Sequence, residues 1–165
     1  MTDRLWAPWR SSYVSNTGSD HGCLFCGIGS SAADRDNLVI CRRGGVFAVL
    51  NRFPYINGHL MLVPLRHVAH FSELAESEFR DLLSVVSVAE KALREGMSCA
   101  GMNGGWNIGR CAGAGIEGHL HLHILPRWPG DVNFMTTTAE TRVLSESLQS
   151  TYDRMLPWFS CGGDA

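Results

Sequence analysis

The chain has 165 residues, of which 45% are hydrophobic and 18% charged, and a formal net charge of −2. That is enough chain to bury a core without covalent staples, and the balance excludes the basic field that draws a protein to nucleic acid or anionic lipid. No apolar run approaches the roughly 20 residues that cross a bilayer, and the opening MTDRLWAPWR has early charges where a secretory segment is apolar. These features predict a single cytoplasmic domain over residues 1–165, with no nucleic-acid or membrane partner. Six cysteines are then reduced thiols, of which Cys23 and Cys26 form a C-x-x-C pair while Cys41, Cys99, Cys111 and Cys161 are scattered.

In chain order, residues 1–22 read as an irregular N-terminal arm and the Gly/Ser/Asp-rich 27–37 as a loop. Two β-like runs follow, Leu38–Cys41 and Val46–Leu50, around the turn Arg42-Arg43-Gly44-Gly45. Pro54 and Asn57-Gly58 mark another turn, and His59–Val63 reads as a third strand. After Ser72 the period lengthens: Phe79, Leu82, Leu83, Val86, Glu90 and Leu93 recur every three or four residues, the face of an amphipathic helix that Gly96 stops. Strands are expected near Gly104–Ile108 and over His119–Leu125, the latter ended by Pro126, with a C-terminal helix at 139–159 and a frayed tail at 160–165. The pattern is that of an α+β fold: an antiparallel five-stranded sheet, one long helix and a C-terminal helix.

The most informative stretch is His119-Leu120-His121-Leu122-His123-Ile124-Leu125. Strict alternation puts the three histidines on one face of a strand, neighbours about 6.6 Å apart. Imidazoles at that pitch line one groove, and with an ordinary pKa near 6.5 a neutral nucleophile and a protonated donor coexist there. A polar strand face without chemistry is the plain alternative. A three-histidine metal site is another, although same-strand positions converge poorly on one ion. Just upstream, Asn107-Ile108-Gly109-Arg110-Cys111-Ala112-Gly113-Ala114-Gly115 is rich enough in glycine for its backbone N–H groups to meet an anion.

His119–Leu125 matches the signature His-φ-His-φ-His-φ-φ, where φ is apolar, and the chain resembles the histidine triad (HIT) family. The likeness extends through Phe47–Arg52, Asn57–Leu60, Val63–His67 and His123–Arg127. Leu5–Arg10, Ala112–Gly115 and Arg127-Trp128 with Gly130–Phe134 are similar to the branch that holds diadenosine tetraphosphate phosphorylases. The resemblance implies a sheet extended across a homodimer, with the helix after Glu76 at its interface. It implies cleavage of nucleotide phosphoanhydrides, with adenine nucleotides as substrates and no organic cofactor. His121 would attack the α-phosphate to form a nucleotidyl-histidine. His123 would contact the phosphate or leaving oxygen and His59 would close the groove. Asn51 would hold the ribose, Asn107 the transferred phosphate, and the backbone of Gly113, Ala114 and Gly115 the oxyanion.

In many members a Gly-Gln or Gly-Ser precedes the triad. Here Gly113–Gly118 supplies neither amide nor hydroxyl, which favours the phosphorylase-like branch. The family also implies a structural Zn2+ on Cys23, Cys26, His67 and His119, with His70 in reserve for His67. Two small buried cysteines without metal are the alternative. Beside the enzyme stand a nucleotide-binding regulator that retains the fold, a hydrolase of nucleoside phosphoramidates, and a metal-dependent hydrolase with the triad as ligands.

Overall fold

The computed structural model describes residues 22–132, 136, 138 and 143–159. The N-terminal arm, apart from Gly22, and the tail at 160–165 lie outside the described residues, as do 139–142 of the expected C-terminal helix. Five strands form one antiparallel sheet in the order β1-β2-β3-β5-β4: β1 Val39–Arg43, β2 Val46–Leu50, β3 Leu60–Pro64, β4 Gly101–Trp106 and β5 Leu122–Arg127. Helices α1 (Leu24–Ser30) and α2 (Asp34–Asn37) precede the sheet, α3 (Glu76–Gly96) links β3 to β4, and α4 (Leu148–Met155) follows it, continued by a 3-10 turn over Leu156–Phe159. The α+β class and the five-stranded sheet are those the sequence predicts. Among the described residues, no helix is long and apolar enough to cross a membrane.

β2 is buried along its whole length because both faces of the sheet are covered there. Cross-strand partners share a face. The register Val49↔Met61 and Met61↔His123 therefore carries the histidine face of β5 across β3 to β2. On the other face α3 packs against β2 and β3.

Several boundaries differ from the sequence reading, each for a physical reason. Residues 27–37 are not a loop: α1 and α2 occupy most of them, and Arg42 holds α1 in place. Its guanidinium donates to the carbonyls of Gly29 (2.7 Å), Ile28 (3.0 Å) and Ser31 (2.9 Å) and pairs with Asp34 at 2.7 Å. Arg42 therefore belongs to β1, and the turn shrinks to Gly44-Gly45. β4 starts three residues before the expected Gly104 and ends at Trp106. Pro126 does not end β5. It lies beyond the last β3 partner, Leu60↔Ile124, and pairs only with Met102 on β4, so its missing N–H leaves the β3 ladder intact. The core stripe of α3 is Leu82, Val85, Ala89, Ala92 and Leu93. Small side chains let the helix approach the sheet, while Phe79 and Leu83 face outward, 44% and 55% exposed.

Candidate active site and metal centre

The triad straddles the start of β5. His119 and His121 sit on the extended run leading into it, where the Leu120 N–H donates to the Val68 carbonyl at 2.6 Å, and His123 lies within the strand. Each ring is fixed by a different partner, and those partners assign the protons. His119 Nε2 is 2.8 Å from the Pro64 carbonyl, which only accepts, so Nε2 carries the hydrogen and Nδ1 presents a lone pair. His121 is the reverse: its Nδ1 is 2.8 Å from the His119 carbonyl, so Nδ1–H donates and Nε2 is left with the lone pair.

His59 links the third ring to the β2–β3 loop. The Tyr55 backbone N–H donates to His59 Nδ1 at 3.2 Å, which makes Nδ1 an acceptor and places the proton on Nε2. His59 Nε2–H then donates to His123 Nδ1 at 2.9 Å, leaving Nε2–H of His123 as a free donor. Asn51 supports this assignment. Its Oδ1 accepts from the Phe53 N–H at 2.9 Å, which turns its amide nitrogen toward His59 Nδ1 at 3.3 Å. One amide hydrogen and one oxygen lone pair of Asn51 stay available for a ligand.

Burial keeps these rings neutral. His59 is fully buried, and desolvation followed by the neighbouring His123 and His121 brings its pKa down to about 3. His123 falls to about 4, through burial and then His121. Burial also lowers His121, partly offset by its bond to the His119 carbonyl. The rings of His121 and His123 meet edge to face at 5.0 Å, and those of His59 and His123 lie 5.1 Å apart. A neutral imidazole with an uncommitted lone pair beside a neutral N–H donor is an arrangement suited to nucleophilic attack on an electrophile held between them.

Asn107 follows the last β4–β5 pair, Trp106↔Leu122, and so begins the return loop beside His121. The expected backbone cradle is narrower than Gly113–Gly115. Gly113, at φ +88°, closes a turn in which the N–H groups of Gly113 and Ala114 donate to the Arg110 and Gly109 carbonyls at 2.9 and 3.4 Å. Those two donors are spent within the loop, and of the three only the Gly115 N–H remains for an anion.

A second cluster lies on the other side of His119. Cys23 Sγ is 3.2 Å from His119 Nδ1, Cys26 Sγ is 3.3 Å from His67 Nδ1 and 3.6 Å from His119 Nδ1, and the four ligand atoms lie within 4.8 Å of one another. Around a tetrahedral zinc, ligand atoms are roughly 3.3–3.8 Å apart, so the donor set fits the ion with small adjustments. The lone pair that Pro64 leaves on His119 Nδ1 points into this cluster. His70 is not among the residues of this cluster. Burial and the neighbouring Cys23 raise the Cys26 thiol, a cost of paired thiolates that a divalent cation offsets.

Two residues on the site went unnoticed in the sequence. Phe25, between the two cysteines, is buried with its ring 5.1 Å from His121 and 5.5 Å from His119. Tyr55 stacks on His59 at 4.6 Å. Phe25 is one of two apolar residues inside C-x-x-C, and only the fold separates it from the exposed Leu24; Tyr55 carries no periodic signal.

The HIT domain family model matches residues 33–130. The chain is 35% identical over 156 residues to the AP-4-A phosphorylase of Mycobacterium tuberculosis, covering 90% of this chain and 80% of that protein. It is 32% identical over 114 residues to an uncharacterised HIT-like protein of Saccharolobus solfataricus, 68% of this chain and 79% of that protein. Among solved structures it is similar to a Zn-bound histidine triad family protein from Mycobacterium smegmatis, with a TM-score of 0.69 at 23% identity over 86% of this chain and 96% of that one. A hypothetical histidine triad nucleotide-binding protein from Sulfolobus tokodaii gives a TM-score of 0.66 at 25% identity, over 83% and 91% of the two chains.

Proposed function

The chain belongs to the histidine triad family, and on that premise we propose that it is an enzyme cleaving the phosphoanhydride of a dinucleoside polyphosphate through a nucleotidyl-histidine on His121. The observation that carries this reading is the tautomer of His121: Nδ1–H is held by the His119 carbonyl at 2.8 Å, and Nε2 keeps its lone pair next to the His123 donor. His121 Nε2 bonds the α-phosphorus, and the bridging oxygen departs with its electron pair while accepting a hydrogen bond from His123 Nε2–H. A second acceptor, water or inorganic phosphate, then displaces the imidazole. Asn51 and Asn107 serve the ribose and the transferred phosphate, and the Gly115 N–H serves the oxyanion. Similarity to a mycobacterial AP-4-A phosphorylase over 90% of the chain supports adenine dinucleotides as substrates.

Cys23, Cys26, His67 and His119 would hold a structural Zn2+ that ties α1 to the entry of β5 and takes no part in the chemistry. A homodimer is supported by the free edge of β4 and by exposed Trp106 beside Phe71, their rings 4.9 Å apart. Cys23, Cys26, Cys99 and Cys111 are free thiols, which accords with a cytoplasmic protein.

The test is incubation with diadenosine tetraphosphate, with and without inorganic phosphate. ADP and ATP formed only with phosphate identify a phosphorylase, the expected result. AMP and ATP formed without it identify a hydrolase. No turnover in either tube would overturn the proposal in favour of another conjugate or a binding role, and full turnover by His121→Ala would overturn the nucleotidyl-histidine on His121.

A further inference from the structure

The side chains of the Cys/His cluster come from three segments of the fold. Cys23 is the N-cap residue of α1 and Cys26 lies in its first turn, which the Gly27 N–H closes on the Cys23 carbonyl at 3.0 Å. His67 follows β3, and His119 leads into β5. Two kinds of link are therefore available here. A cation held by all four side chains would tie α1 to the other two segments, whereas a bond between the sulfurs would be local to one turn of α1. The sulfurs are placed for that bond: they approach one atom, His119 Nδ1, at 3.2 and 3.6 Å and lie within 4.8 Å of each other. Residues one helical turn apart have Cα atoms well inside the roughly 7 Å beyond which a disulfide cannot close. Cys23 has an extended backbone (φ −62°, ψ 128°), so its side chain can swing toward Cys26 without unwinding the helix. Each sulfur also faces an imidazole, Cys23 at the lone pair of His119 Nδ1 and Cys26 at 3.3 Å from His67 Nδ1. Both cysteines are half-buried, open enough for a small reagent, while Cys41 and Cys99 are buried.

We propose that Cys23 and Cys26 form a reversible disulfide on reaction with a low-molecular-weight disulfide, and that this modification and a bound metal exclude one another. The Cys23 sulfur attacks one sulfur of the reagent, whose S–S bond breaks and releases one small thiol. Cys26 then attacks Cys23 Sγ in the mixed disulfide and releases the second. The two cysteines lose two electrons and the reagent gains them. Both thiol protons, relayed by His119 and His67, end on the released thiols. The product leaves only His67 and His119 as ligands, so the tie from α1 to the entry of β5 is lost. A disulfide closing so short a loop constrains the unfolded chain little and does not replace that tie. The docking of α1 thereby responds to the thiol redox state. This inference is independent of the nucleotidyl-transfer reading.

Glutathione disulfide, added to the full chain with and without zinc, tests it. In metal-free protein, peptide mapping should find the Cys23–Cys26 bond at about tenfold less reagent than exposed Cys111 needs to take up glutathione, because the second thiol is already in place. Cys26→Ser should instead hold one glutathione on Cys23. The rise in melting temperature that zinc gives the reduced protein should vanish after oxidation and return on reduction with fresh zinc. Glutathione that stays on the wild-type pair without closure would overturn the inference, as would a pair slower to oxidise than Cys111. A zinc-dependent rise that survives in protein with the mapped disulfide would overturn the exclusion. A reduced protein that does not respond to zinc would overturn the metal assignment, and closure of the disulfide would still stand.

Discussion

Ser98 follows α3 with φ at +52°, a left-handed conformation that costs an L-residue with a side chain about 1 kcal/mol. It is exposed, and the bond that the Trp128 indole N–H donates to its carbonyl at 3.1 Å involves only main chain on the Ser98 side. Ser98→Gly should therefore raise stability by about 0.5–1 kcal/mol in urea unfolding, and a loss would refute the account. The buried histidines give a second test. In the folded protein His59 titrates at about 3 and His123 at about 4, against an ordinary 6.5. Below pH 6.5 the unfolded chain takes up protons that the folded chain refuses, so this stability is complete above about pH 6.5 and is lost as pH falls toward 4. Measured with a chelator present, wild-type stability should drop between pH 7 and 5. His59→Gln should flatten that slope by up to about 1.4 kcal/mol per pH unit. An unchanged slope would mean that His59 is not buried neutral. At this scale the triad and the Cys/His set are readable in the sequence because identity and a period of two name them. The proton assignments are not, since Pro64, His119 and Tyr55 act through main-chain atoms that every residue has.

Helix α1 shows how an element escapes its own sequence. Gly27, Gly29 and Ser30 read as a loop by propensity, and tertiary bonds override them: Arg42, from β1, takes three carbonyls at the end of α1. The same helix begins beside Cys23 and carries Cys26 and Phe25, so its placement sets both the metal ligands and one wall of the site. Arg42→Ala should cost about 2 kcal/mol and weaken zinc binding, read by urea unfolding and by competition with a chromophoric chelator. Arg42→Lys should not rescue either, because an ammonium lacks the planar fork that reaches several acceptors. Full zinc affinity in Arg42→Ala would show that the ligands are placed without it. The strands, by contrast, were legible to within a few residues, since β-branched runs and Gly-Gly or Asn-Gly turns bound them. The long helix was legible in extent but not in facing: bulky Phe79 and Leu83 outrank Val85, Ala89 and Ala92 in hydrophobicity, although it is the small residues that fit against the sheet.

For the whole molecule, the misplaced stripe of α3 becomes informative. Leu83 and Trp106 are each 55% exposed, and β4 is an edge strand with unpaired backbone groups along one side. Light scattering after size exclusion should give a dimer, and Leu83→Glu with Trp106→Glu should give a folded monomer. A wild-type monomer at micromolar concentration would sink the assembly. Zinc added to metal-free protein should raise the melting temperature, since the four side chains that would hold it converge only in the folded chain, and turnover of the folded protein should not depend on it. Complete loss of turnover with the fold intact would make the ion a participant in the chemistry. Assembly was not readable from the pattern of the chain itself, because an apolar stripe looks the same whether a sheet or a second subunit covers it.

The hydrogen bond from His121 to the carbonyl of residue 119 also bears on how this protein tolerates change. The first and third histidines depend on contacts made elsewhere, but His121 takes its orientation from the peptide unit two positions before it. Any substitution at position 119 keeps that carbonyl. Change in the Cys/His cluster can thus proceed through altered or lost side chains while His121 Nε2 stays presented in the same way, and the two groups of residues, adjacent in space, are separable in evolution.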